Sequence, residues 1–183
     1  MQRIYETERL ILKVIDKNDV AAVLDYIDRN KDFLQEWEPY RCDEFYTKQF
    51  QQDLLENDFQ KIHDKSLLRL WLYKKEDDKR IIGTLSFSDI IMGCFQSCHL
   101  GYKLDQTEIN HGYITEAIRR GIDIIFQDYG LHRIEANIMP KNSRSLRVAE
   151  KLGFHNEGLA KQYLRINGIW EDHVHMVLLN EEL

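Results

Sequence analysis

The chain has 183 residues, 43% of them apolar and 31% charged, and carries a net charge of −6. That length supports one domain with a full hydrophobic core, expected to span residues 1–183. The acidic balance argues against direct nucleic-acid binding, which needs clustered Lys and Arg. No apolar run approaches the roughly 20 residues of a membrane span, so no membrane partner is expected.

The opening segment RIYETERLILKVI (residues 3–15) has the alternation of a strand. Its mixture of charged and apolar residues is neither a signal nor a transit peptide, so a cytoplasmic location is expected. DKNDVAAVLDYIDRNKDFLQEW (16–37) predicts an amphipathic helix with Val20, Val23, Leu24 and Ile27 on one face, capped by Asp16 or Asn18. Pro39 closes that region, and a second helix is predicted over about Phe45–Phe59. LLRLWLYKKEDDKRIIGTLSFSDII (67–91) predicts two strands joined by a charged turn near Glu76–Lys79, and CFQSCHLGYKL (94–104) a third. A helix follows over about His111–Gln127, with Ile114, Ile118, Ile122 and Ile125 at helical spacing. HRIEANIMP (132–140) reads as a strand stopped by Pro140. NSRSLRVAEKLGF (142–154) reads as a short helix with Asn142 as N-cap and Gly153 as its stop. Two last strands, 155–166 and 169–179, flank the hairpin signal Asn167-Gly168. The order is that of a mixed sheet with helices on both faces.

Cys42, Cys94 and Cys98 form no CxxC pair and no even disulfide set. CFQSCH has the wrong spacing for a zinc knuckle, so buried or half-buried strand cysteines, and no metal, are expected. His173 and His175 share a strand face, where packing is the simpler account than metal binding because no third ligand is evident.

The stretch TEINHGYITEAIRRG (107–121) places one glycine, Gly112, where a polar loop enters a helix. The first N–H groups of a helix lack intrahelical partners, and the helix dipole favours negative charge there. A glycine lets a phosphate approach those amides without meeting a Cβ. The loop is neither a Walker sequence, since no GK[ST] follows, nor a GxGxxG dinucleotide fingerprint. Taken by itself, such a glycine reads first as the mark of a simple turn.

Together with MPKNSRSLRVAEKLGF (139–154), this unit resembles the GNAT superfamily of acyl-CoA-dependent N-acetyltransferases. The resemblance covers nearly the whole chain through ETERLILKV, FLQEWEP, IIGTLSFSDI, LGYKL, GYITEA, HRIEANIMPKNSRS, AEKLGFHNEGLAKQYLRINGIWEDHV and MVLL. It is most specific to the Rim type, which acetylates the N-terminal amine of ribosomal proteins. FLQEWEPYR and GLAKQYLRINGIWEDHV look closest to the branch acting on an N-terminal alanine of a small-subunit protein. The resemblance implies an α+β GNAT fold with a mostly antiparallel mixed sheet, acetyl-CoA as donor, and an amine as acceptor.

It also implies roles for residues. The loop amides of Asn110, His111, Gly112, Tyr113, Ile114 and Thr115 would bind the CoA pyrophosphate. The family loop has Arg or Gln, then Gly, then Gly or Ala where this chain has Ile109, Gly112 and Ile114, so only the central glycine is kept. The backbone of Tyr102, Lys103 and Leu104 would pair with pantetheine in a splayed β-bulge, and Asn142 would meet the cofactor. Acyl transfer needs a base for the amine, a donor for the oxyanion and a proton for the thiolate. Ser145 is the candidate proton donor, its alternative being a solvated hydroxyl in a first helical turn. Relatives place a glutamate base where this chain has His99 or Asn137. Asn137 cannot be a base, so His99 and Glu135 are the candidates, with a satisfied histidine and a salt-bridged carboxylate as their plainer accounts. Trp37, Glu38, Tyr40, Tyr163, Trp170 and Asp172 are candidates for the acceptor groove, with Glu38 and Asp172 placed to hold a cationic amine.

An α-amine has a pKa near ~8 against about 10.4 for lysine, a difference worth roughly 3 kcal/mol of deprotonation. A site without a strong base therefore favours N-terminal or other low-pKa amines, and the resemblance implies an N-terminus beginning with Ala or Ser. A small-molecule amine acceptor and a non-catalytic CoA-binding module are the alternative functions, and a homodimer is a candidate assembly.

Overall fold

The computed structural model describes residues 3–182. The segment expected as one strand forms two, β1 (Ile4–Glu6) and β2 (Leu10–Lys13). Thr7 turns the chain between them: its backbone N–H bonds Leu10 O and its Oγ1 accepts from Leu10 N, both at 3.0 Å. A 3-10 turn at Lys17–Asp19 then leads into α1 (Val20–Leu34). Asp16 is the cap: its Oδ1 accepts from Asn18 N at 2.9 Å, while Asp19 Oδ2 accepts from Asp16 N at 3.1 Å.

Two further 3-10 turns, Gln35–Trp37 and Asp43–Tyr46, precede α2 (Lys48–His63). This helix begins three residues later than expected because the extended Thr47 caps it, accepting from Phe50 N at 3.3 Å. The remaining elements are β3 (Leu68–Lys74), β4 (Asp77–Ile91), β5 (Ser97–Leu104), α3 (Tyr113–Asp128), β6 (Arg133–Ile138), α4 (Ser143–Lys151), β7 (His155–Ile166) and β8 (Ile169–Leu179). The hairpin between the last two has Asn167 at φ 43° and Gly168 at φ 84°, the paired left-handed geometry that Asn-Gly favours. Cys98 is buried on β5, whereas Cys42 and Cys94 are exposed in connecting segments rather than on strands.

The eight strands form one sheet in the order β1-β2-β3-β4-β5-β6-β8-β7. Every neighbouring pair is antiparallel except β5–β6. This is the mixed, mostly antiparallel sheet of a GNAT fold. Strand alternation sorts the core onto two faces. Leu68, Leu70 and Leu72 of β3 pack with Ile118, Ile122 and Ile125 of α3. Trp71 and Tyr73 of the same strand pack with Val20, Val23 and Tyr26 of α1. Gly121 brings α3 close to the sheet: a Cβ there would stand 2.7 Å from Cε2 of Phe87, a ring with no exposed surface.

The parallel pair decides where a site can form. β5 and β6 are in register only at Ser97↔Arg133, Cys98↔Ile134 and His99↔Glu135. Beyond that point both strands continue, β5 to Leu104 alongside β4 and β6 to Ile138 alongside β8. Their facing edges separate, leaving a wedge in the middle of the sheet. The expected bulge at Tyr102–Leu104 is absent, since these residues pair with Gly83–Leu85 in unbroken register. The irregularity lies at the other end, between Ser88 and Ile91, where Asp89 has φ 51°.

Candidate active site

A cleft of about 1070 Å³ occupies the wedge. Tyr102 and Leu104, which face α3, line it together with Gly101 and Lys103, which face the other way. The cleft therefore passes through the sheet.

On the α3 side its wall is the loop into α3. Asn110 has φ 66° and Gly112 has φ 80°, ψ 0°. Gly112 is thus required by a left-handed turn, and a Cβ on it would have only Arg9 Nη2 nearby, at 3.5 Å. The two readings of this glycine are compatible, because the turn presents the helix start to the cleft. No side chain caps α3, and its first backbone bond is Glu116 N–H to Gly112 O at 3.1 Å. The amides of Tyr113, Ile114 and Thr115 are left without intrahelical acceptors.

A clamp 107 residues distant in sequence fixes this turn. Glu116 Oε1 accepts from Thr7 Oγ1 at 2.6 Å and from Arg9 N at 2.8 Å, and Oε2 accepts from Arg9 Nε at 2.7 Å. Arg9 Nη1 donates to His111 O at 3.0 Å, and the guanidinium lies 4.6 Å from the centre of the Tyr113 ring. Burial alone would raise the Glu116 carboxyl, but the bonds from Thr7 and Arg9 outweigh it and hold it below the usual range. Tyr113, also stacked on His111, is the one residue of the expected phosphate loop whose side chain does not line the cleft.

The second wall is α4. Arg144, Arg147 and Lys151 line the cleft, and none has a carboxylate partner among the described residues. In a chain of net charge −6 this is a local excess of positive charge. Asn142 also lines the cleft, with its Oδ1 accepting from Ser145 N at 3.2 Å as the cap of α4. Ser145 Oγ donates to Tyr102 Oη at 2.6 Å, and Tyr102 Oη donates to Ser145 O at 3.0 Å. Burial pushes the Tyr102 hydroxyl up to about 12, against a smaller lowering by Ser145, so it stays protonated at neutral pH. Uncapped amides, unpaired cations and an open strand edge fit the phosphates and the amide-bearing arm of a CoA thioester.

The opposite face holds a polar network. Glu135 Oε1 lies 2.8 Å from His175 Nδ1 and 3.7 Å from His99 Nε2, while Oε2 accepts from Arg133 Nη2 at 2.9 Å. Burial opposes ionisation of Glu135, but the bonds from Arg133 and His175 outweigh it, and the carboxyl sits below its usual range. It is a paired anion. His99 Nδ1 lies 3.3 Å from Asp89 Oδ2. Neither His99 nor Glu135 lines the cleft; Asn137 and His173 do. Asn137 Oδ1 is buried and has no hydrogen-bond partner among the described residues.

The expected acceptor residues divide. Trp37 and Glu38 line the cleft, but the Glu38 carboxylate is already engaged by Lys103 and, at 3.7 Å, by Arg41. Burial lowers the Lys103 ammonium despite Glu38 beside it. Tyr40 is 72% exposed and lines a neighbouring cavity. Tyr163 packs its ring 4.9 Å from His175 and 5.8 Å from His173. Asp172 accepts from Lys161 Nζ at 2.7 Å and Gln162 N at 2.9 Å, so it braces the bulged strand β7 instead of facing a ligand. Trp170, 58% exposed beside the hairpin turn, also lies outside the cleft lining.

Residues 9–155 match the family described as the acetyltransferase (GNAT) domain. The chain belongs to the GNAT acetyltransferases. It is 37% identical over 170 residues to the [ribosomal protein uS5]-alanine N-acetyltransferase of Escherichia coli K12, spanning 92% of this chain and 86% of that protein. The crystal structure of the ribosomal-protein-S5-alanine acetyltransferase from Vibrio fischeri superposes with a TM-score of 0.93 at 33% identity, covering 99% of this chain and 98% of the other. RimJ from Mycobacterium smegmatis, solved with CoA-disulfide, gives a TM-score of 0.88 at 27% identity over 95% and 83% of the two chains. This GNAT enzyme is an N-acetyltransferase of Rim type that draws its acetyl group from acetyl-CoA.

The sequence concealed two parts of the site. The Arg9–Glu116 clamp joins residues with no local pattern between them. The α4 cations had a signal, since positions 144, 147 and 151 fall on one helical face.

Proposed function

We propose that this enzyme acetylates the α-amine of a protein N-terminus beginning with Ala or Ser, on a ribosomal protein in the cytoplasm. The observation that carries the proposal is the cleft through the sheet. It joins a phosphate-binding wall to an opposite face where Asn137 offers an unpartnered acceptor and Glu135 is already paired. The named activity of the Escherichia coli relative, on an alanine of uS5, supports the choice of acceptor.

Bound acetyl-CoA supplies the thioester carbonyl. The amides of Tyr113–Thr115, with Arg144, Arg147 and Lys151, hold its phosphates, and the open edge of β5 at Tyr102–Leu104 aligns its arm. Asn137 Oδ1 accepts an N–H of the entering amine and fixes its lone pair. His175, held at Nδ1 by Glu135 and itself outside the cleft lining, takes the amine proton at Nε2 only by way of water. An α-amine of pKa near ~8 loses its proton more readily than lysine, at about 10.4, and so asks less of whatever accepts it. The paired hydroxyls of Tyr102 and Ser145 hold the proton delivered to the departing sulfur.

The test is thiol release from acetyl-CoA with three acceptors: an Ala- or Ser-starting peptide, the same peptide N-terminally blocked but with free lysines, and spermidine. Turnover only with the free N-terminus is expected. Turnover with spermidine alone would move the enzyme to small-amine acetylation. Silence with all three, despite CoA binding, would overturn the proposed acceptor.

A further inference from the structure

A second cavity of about 220 Å³ lies beside the cleft, lined by α1 and by the segment 35–46. Glu38, Arg41 and Lys103 line both spaces and so form a shared wall. Two buried polar atoms on the cavity lining lack hydrogen-bond partners among the described residues. One is the hydroxyl of Tyr26, a residue only 2% exposed. The other is Arg41 Nε, whose nearest carboxylate, Glu38 Oε2, stands 3.7 Å away.

The neighbouring polar groups do not meet this need. Asn30, 1% exposed, donates to Tyr26 O at 2.9 Å and to Asp105 Oδ2 at 3.3 Å, and accepts from Gln106 N at 2.9 Å. Glu38 is divided between Arg41 and Lys103, so the wall holds two cations to one anion. Lys31 and Asp43 also line the cavity, and their charges cancel. What remains is an N–H donor, an O–H group and one positive charge in excess. Such a set is complementary to a carboxylate, which accepts hydrogen bonds and restores neutrality.

We propose that this cavity binds a carboxylate of the acceptor molecule, carried a few bonds from the amine that is acetylated. The proposal rests on the N-acetyl transfer described above and names the acceptors it favours. The shared wall lets one molecule place its amine at Asn137 and its carboxylate between Tyr26 and Arg41. In a peptide the carboxylate is an acidic side chain at the second residue; in a small acceptor it is the molecule's own terminal carboxylate.

Thiol release with amidated peptides beginning Ala-Asp, Ala-Asn and Ala-Lys, and with dialanine in free and amidated forms, tests it. Binding of the acetylated Asp and Lys peptides to the enzyme is measured alongside. The Asp peptide is expected to exceed the Lys peptide at least tenfold in kcat/KM and in affinity, and Tyr26→Phe and Arg41→Met to collapse both ratios towards one. Because the Tyr26 hydroxyl is unpartnered, Tyr26→Phe should not lower the melting temperature, which separates loss of a contact from loss of the fold. A preference for free over amidated dialanine, lost in the same variants, assigns the carboxylate to a small acceptor. Equal rates and affinities for Asp and Lys peptides together with equal rates for free and amidated dialanine, or ratios unchanged in both variants, would overturn the proposal and leave the cavity to water. Turnover of the Ala-Asn peptide in that case would leave the N-acetyl transfer itself standing.

Discussion

On the α3–α4 side of the sheet, the cleft is lined by backbone amides at an uncapped helix start and by Arg144, Arg147 and Lys151, which have no carboxylate partner among the described residues. On the other side, the groups around it are mostly side chains already bound to one another, as Glu135 is to His175 and Arg133. The first side presents uncapped amides and positive charge to an anion, and in the proposed function it takes the phosphates of acetyl-CoA. The second is a folded polar network with a few atoms left open, and in the proposed function those atoms meet the acceptor. This division explains how one fold serves many amines. The donor side depends on backbone geometry, while the acceptor side depends on which side chains the strand register brings together.

The largest expected effect comes from removing the proton held between the two sides. Tyr102→Phe should lower kcat about 100-fold, within the range for general acid catalysis, with CoA affinity changed by less than about threefold. Single-turnover acetyl transfer and CoA titration check it. Equal losses in both would make Tyr102 a cofactor contact. With the hydroxyl pushed up to about 12, the phenol stays protonated through neutral and moderately alkaline pH. It remains a donor as pH rises and fails only near that value. Gly112→Asp comes next, since it places a negative charge at the amides proposed to hold the phosphates and a Cβ at φ 80°. CoA binding should weaken at least ~10-fold, or about 1.4 kcal/mol, as read by calorimetry. Unchanged binding in a folded variant would take Gly112 out of the site. Ser145→Ala should lower turnover about tenfold, less than Tyr102→Phe, because a serine hydroxyl is the weaker acid of the pair. Equal activity would leave Ser145 as a plain first-turn residue.

The same division runs through what the sequence disclosed. The α3 loop and the Asn142 cap were legible because helix starts have local signatures, and the Asn167-Gly168 hairpin because its turn demands two left-handed residues. The break at Thr7 was hidden by an alternation that reads the same in one strand as in two short ones. The acceptor residues were harder. Asp172 and Glu38 were legible as acids but not as occupied acids, because Lys161 and Lys103 reach them through the register of β7 with β8 and the packing of segment 35–46 on β5. Asn137 carries an amide and so cannot act as a base. Its open oxygen is visible only once β6 and β8 are paired.

The smallest expected effect tests whether the donor side is preformed by long-range contacts. Glu116→Gln keeps the shape of the side chain but removes the charge that binds Thr7, Arg9 N and the Arg9 guanidinium. Hydrogen bonds to charged groups contribute about 1.5–3 kcal/mol each at most, and Gln retains part of this set. A loss of about 1–2 kcal/mol in unfolding free energy is therefore expected, with CoA binding weakened only a few-fold. The native carboxyl lies below its ordinary value, so the unfolded chain binds this proton more readily. The contribution is then fully present above the unfolded pKa of about 4.3 and is lost as pH falls through the lower folded value. Wild type and Glu116→Gln should differ in denaturant midpoint at pH 7 and converge as the solution is acidified below pH ~4. A difference that persists into acid would mean that the clamp acts through shape alone, and that the turn at Gly112 needs no charge from Glu116 to hold its amides towards the cleft.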